Sequence, residues 1–192
     1  MNTDKNKLLM GIVLAATLSA SQAAPEQEYD WDKAEKEIRR LKLSEFKSLP
    51  QAVVKELEEM GCTIPQSYLD AEPHNAVRGE FARKGQVDWA VLCSKEGTSS
   101  IVVFWGKHSA CARAFATSAD RRFLQGLGEG RIGYSRVISP VDRKYINDHY
   151  KSYGGQKPPV IQHQGIDDGF AGKASVVHYC HKGKWLVLAG AD

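Results

Sequence analysis

The sequence predicts an α+β fold: N-terminal helices packed on an antiparallel sheet of five or six strands, in a single domain stapled by disulfides. Three observations predict it. Apolar residues recur at spacings of three and four up to about residue 61. From about residue 75 the dominant pattern changes to short runs of β-branched and aromatic residues divided by glycine turns. Four cysteines, Cys62, Cys93, Cys111 and Cys180, form an even set behind a leader of the export type.

The leader comes first in the chain. Lys5 and Lys7 make a positive segment, residues 8–20 are uncharged and apolar, and Ser21 and Ala23 set small residues at the −3 and −1 positions of a cleavage site. That is the pattern of a secretory signal peptide over residues 1–23, cut after Ala23. Its apolar run is short of the roughly 20 residues that span a bilayer. The expectation is an exported protein with no membrane span after cleavage, periplasmic in a Gram-negative cell or otherwise secreted. Residues 24–30 read as a mobile leader to a single domain over residues 31–192.

Within that domain, Asp30 is placed to cap a helix over residues 31–42, where Trp31, Ala34, Ile38 and Leu41 share a face. Ser48-Leu49-Pro50-Gln51 has the form of a capping box with proline in the first turn. Leu49, Val53, Leu57 and Met60 follow on one face, and Gly61 stands where a terminating glycine belongs. Ile64-Pro65 turns the chain away from helix. Strands are predicted over residues 76–81, 87–94 and 100–105, the last two joined by the Glu96-Gly97-Thr98 turn and covered on one face by the helices. Residues 112–116 read as strand or turn, 119–125 as a short helix, and 131–138 as a strand. A helix over residues 141–153 follows Pro140 and ends at Gly154-Gly155. Two last strands, 174–180 and 184–189, meet at the His181-Lys182-Gly183 turn. The pattern contains no repeats.

Composition narrows the function. With 26 Lys+Arg against 23 Asp+Glu the formal charge is +3, too mild and too dispersed for a nucleic-acid binder. The basic pairs Arg39-Arg40, Arg83-Lys84, Arg121-Arg122 and Arg143-Lys144 read as solvated faces. Trp31, Trp89, Trp105 and Trp185 fall inside helix or strand patterns and read as core. No zinc-protease, nucleophile-elbow or phosphate-loop motif occurs. Gly128-Glu129-Gly130-Arg131-Ile132-Gly133 spells a dinucleotide fingerprint but lacks the strand before and helix after, so it reads as a glycine-rich loop. Residues 79–91 faintly resemble a calcium loop, yet Ala82 and Lys84 occupy ligand positions and only Glu80 and Asp88 remain. No metal and no cofactor are predicted.

The densest polar constellation is C-terminal: His163, Asp167, Asp168, His178, Cys180 and His181. His163, Asp167, Asp168 and His178 are the candidate acid–base residues, with an Asp-Asp-Gly turn at a hairpin end as the plainer reading. The cysteines allow three pairings. Cys62–Cys93 with Cys111–Cys180 is preferred, because it would tie the N-terminal helices to the sheet and staple the last strand. No C-x-x-C pair is present.

From about Ser48 onward the chain resembles a family of short exported bacterial proteins known only as uncharacterised. The resembling stretches are Leu49-Pro50 with Gly61-Cys62-Thr63-Ile64-Pro65-Gln66, the segment from Gly85 to Cys93, Gly130 to Ser135, and Lys173-Ala174-Ser175 to Gly190-Ala191-Asp192. The resemblance implies export and one domain and carries no catalytic residues. The leading expectation is a non-enzymatic module that binds a periplasmic protein or an envelope component. Tyr145, His149, Tyr150 and Tyr153, with the loop over residues 163–168, are its expected contact surface. The alternative is a small hydrolase or metal-dependent enzyme using His163, Asp167, Asp168 and His178. No oligomeric state is predicted.

Overall fold

A computed structural model describes residues 28–190, so the signal-peptide reading of residues 1–23 lies outside the described residues. Helix α1 (Trp31–Lys36) is capped by Asp30, whose carboxylate accepts from the Lys33 N–H at 2.9 Å. It stops well before residue 42. Arg40–Leu41 (β1) leaves the helix to pair with Ile64–Pro65 (β2), and Arg40 reaches Asp120 at 2.8 Å. Ile38, the helix-period residue, enters the core from the irregular segment after the helix instead. Ile64-Pro65 thus leaves the helix as a short strand, and Arg40 is not a solvated charge.

After a 3-10 turn at Leu43–Glu45 comes α2 (Gln51–Met60). Pro50 is its N-cap, with no side-chain cap from Ser48; Gly61 ends it at φ +72°, while the Gly61 and Cys62 N–H groups return to the Glu58 and Leu57 carbonyls. Val53 and Leu57 are buried; Met60 is exposed.

The strands that follow form two antiparallel sheets of four strands, not one of five or six. The first is β3 (Ala76–Gly79), β4 (Asp88–Lys95), β5 (Thr98–Phe104) and β6 (Ala114–Ala119) in spatial order. A 3-10 turn (Asp120–Phe123) replaces the short helix expected over 119–125 and leads into a hairpin of β7 (Leu124–Gly128) and β8 (Arg131–Tyr134). The Gly128-Glu129-Gly130 turn of that hairpin has positive φ at all three residues, so the fingerprint match is a β-turn. Next come β9 (Arg136–Val141), helix α3 (Arg143–Tyr153), β10 (Gly165–Phe170), β11 (Ala174–His181) and β12 (Lys184–Ala189). These strands make the second sheet in the order β12-β11-β10-β9. The predicted strand over 131–138 is thus two strands broken at Ser135. Pro140 lies inside β9, and the helix begins two residues later than expected, capped by Asp142.

The alternation of side chains along the strands stacks three apolar clusters. Val53 and Leu57 of α2 meet Val91, Cys93, Val102 and Phe104 on the outer face of the first sheet. Ala90, Leu92, Ile101 and Val103 on its inner face meet Ile138 and Ile166 of the second sheet. Val177, Tyr179 and Leu188 on the far face of that sheet meet Ile146 of α3. The layers are therefore α2, first sheet, second sheet, α3. Trp89, Trp105 and Trp185 pack against these clusters, whereas Trp31 is exposed.

The disulfides are Cys62–Cys93 and Cys111–Cys180, with Cα separations of 5.2 and 6.0 Å. The first ties the end of α2 to the first sheet. The second joins the loop before β6 to β11, linking the two sheets rather than holding the last strand alone.

A second tie is Asn75, fully buried and at φ +68°, a conformation asparagine tolerates better than most side chains. Its amide donates to the Pro65 and Arg136 carbonyls at 2.7 and 3.1 Å, and its oxygen accepts from the Ile138 N–H at 2.9 Å. One side chain thus joins β2, the start of β3 and β9. Asn75→Ala removes the Asn75 partner of the Arg136 carbonyl and the Ile138 N–H in the interior, while the Pro65 carbonyl keeps the Gln66 amide, and chemical denaturation should show a loss of about 2–4 kcal/mol.

Candidate functional site

The four acid–base candidates do not converge. Gly165–Phe170 is a central strand, not the expected loop with an Asp-Asp-Gly turn, so Asp167 and Asp168 point to opposite faces of the second sheet. Two glycines let this sequence sit there. A Cβ on Gly165 would lie 2.8 Å from the His178 carbonyl oxygen, and one on Gly169 would lie 3.3 Å from Val137. His163 lies apart, in a polar depression of about 750 Å³ beside the start of α3, where its Nδ1 bonds the Gln164 carbonyl at 2.9 Å. Among the described residues no three His, Cys, Asp or Glu side chains are grouped as for a metal ion.

Asp168 and His178 do meet. They face the interior between the sheets, with His178 Nε2 3.9 Å from Asp168 Oδ2. Their surroundings are organised by Arg136, a residue the sequence reading passed over, of which only 1% is exposed. Arg136 Nε and Nη2 donate to the two Asp168 oxygens at 2.9 and 2.8 Å. Nη1 donates to the Ser99 carbonyl and hydroxyl at 3.2 and 2.9 Å, and Nη2 to the Ala116 carbonyl at 2.6 Å. The five donors of a guanidinium are all spent.

The partners exist because of a register shift. Between Ser99 and Ile101 the β5–β6 pairing slips, and Ala116 takes φ +52° to absorb the extra length. That turns the Ala116 carbonyl onto Arg136. The Phe123 ring covers the guanidinium, centred 4.6 Å from its carbon.

Next to this ion pair is an open cleft of about 490 Å³, walled by β6, the 3-10 turn at Arg122-Phe123, and the inner faces of β10 and β11. His178 is in its wall, 5.1 Å from the Phe115 ring centre, and Phe115 stacks on Trp185 at 4.1 Å. Burial holds the His178 imidazole below its ordinary value, with Asp168 opposing, and Nδ1 has no partner among the described residues.

On the opposite face, Asp167 floors a groove of about 320 Å³ beside Tyr145 and Tyr153 of α3 and Ser175 of β11. Burial pushes the Asp167 carboxyl above the usual carboxylate range, with the nearby Ser175 hydroxyl working against it. The expected aromatic surface divides here. Tyr145 and Tyr153 are 42% and 53% exposed, whereas His149 is buried between them and Tyr150 packs on the third core.

Asp88, set aside as a calcium-type ligand, is a buried structural clamp. Its oxygens accept from the Phe81, Ala82 and Gly106 N–H groups and from Gln86, all within 3.0 Å. Comparison with family models, curated proteins and solved structures finds no match to this chain.

Two measurements test this account. Removing Asp168 strands a buried charge, so Asp168→Ala should cost about 3–5 kcal/mol in denaturant titrations, and Arg136→Met with Asp168→Leu should cost less. The depressed His178 pKa means that the unfolded chain takes up a proton before the folded one does. Stability should then fall as pH drops below about 6.5, the unfolded value, until the folded imidazole itself titrates, and His178→Asn should flatten that slope.

Proposed function

We propose that the chain is an exported, non-enzymatic binding module that acts in the periplasm or outside the cell. Its partner is a protein or an envelope component. The observation that carries this reading is the separation of the polar candidates. Asp168 is saturated by Arg136, Asp167 opens on the other face, and His163 lies apart from both. Acid–base chemistry needs groups within hydrogen-bond reach of one reacting atom, and only Asp168 and His178 share a face. The α3 surface instead offers two exposed tyrosines flanking a groove, and tyrosine supplies contact area with a polar tip at low entropic cost. Two disulfides support an extracytoplasmic setting.

Export is tested by intact mass. Protein from the extracytoplasmic fraction should begin at Ala24 and lack four hydrogens, and a full-length reduced chain would overturn the assignment. The contact surface is tested by a photo-crosslinking residue placed at 145 or 153 in cells. A discrete adduct there and none from the exposed α2 position 59 is the expected result. Equal adducts at all three positions, or none, would remove the α3 face from consideration.

A further inference from the structure

We propose that the cleft between the two sheets binds a small organic anion with an apolar body, at a site separate from the α3 groove. Three observations converge. The cleft volume of about 490 Å³ falls in the range of small-molecule sites. Its wall contains His178, 7% exposed, whose Nδ1 has no hydrogen-bond partner among the described residues. An unpartnered buried polar atom is costly, and a ligand group reaching it removes that cost. Ala116, on the facing strand, is held in left-handed backbone, a form of strain that clusters at ligand sites.

The charge of the ligand follows from which groups are spent. Asp168 is neutralised on both oxygens by Arg136, and Arg136 has no donor left, so the floor of the cleft offers no net charge. At the rim stands Arg122, exposed and without a carboxylate partner among the described residues, unlike Arg121 beside it, which pairs with Asp32 and Glu35. A carboxylate or sulfonate would therefore sit at Arg122, its apolar body between Phe170 and Val176, and a hydrogen-bonding edge would reach His178.

The test uses 2-naphthoate as probe and 2-naphthylmethanol as its neutral counterpart, followed by amide chemical shifts of the intact chain. Naphthoate should give saturable shifts at Ala116, Ser118, Val176 and His178. Charge reversal at the exposed rim, Arg122→Glu, leaves the fold unburdened and should weaken binding about tenfold. The neutral alcohol should bind correspondingly worse, and Val176→Trp should fill the cleft and abolish the shifts. Tyr145→Ala with Tyr153→Ala should change none of this, which separates failure here from failure of the α3 surface. Unchanged affinity in Arg122→Glu, equal binding of the alcohol, shifts confined to the α3 groove, or no saturable shift at millimolar probe would each overturn the proposal.

Discussion

The buried guanidinium of Arg136 is the constraint around which the molecule is arranged. A cation removed from water is tolerated only with a counter-charge and with its donors satisfied. The fold meets both demands from three separate strands. Asp168 supplies the counter-charge from β10, Ser99 two acceptors from β5, and Ala116 a carbonyl from β6. The peptide of Arg136 is used as well, since its carbonyl accepts from Asn75. Both sheets are thereby set relative to each other through directional bonds, where apolar packing alone would leave their relative slide less defined. A buried ion pair is a poor source of net stability, and its value here lies in geometry.

Strand β10 then acts as a partition. It carries adjacent aspartates in the middle of a sheet, a composition that strands normally avoid. Asp168 is accepted because Arg136 faces it. Asp167 is half-buried at the border of a groove, with the Ser175 hydroxyl beside it. What is adjacent in sequence is thus opposed in space, and a dense cluster of ionisable residues becomes two unlike surfaces. One is a mixed aromatic and basic cleft, the other a tyrosine-flanked groove.

Much of the architecture was legible in the residues. The β4–β5 and β11–β12 hairpins and the helical cover on β4 and β5 follow from alternation and turn glycines, and the even cysteine set announces two disulfides while leaving three pairings open, of which the preferred one is observed. The misses share a physical cause, long-range pairing that overrides local preference. Residues 40 and 41 have helical periodicity but are captured by β2. Gly165 to Phe170 has turn chemistry but is stitched between two strands. Of the site, His178 and Asp168 were visible as residue types, while Arg136 was one arginine among many. Nothing local marks it, because its partners are 20 to 37 residues away along the chain.

The two disulfides join neighbouring cysteines along the chain, first with second and third with fourth. Their loops neither nest nor interleave. A chain delivered to an oxidising compartment N-terminus first presents Cys62 and Cys93 before Cys111 arrives, and its only available bond is then the native one. The second pair follows the same order. For a chain delivered in that way, an oxidant that simply joined thiols as they appeared would need no later reshuffling to reach the observed pairing.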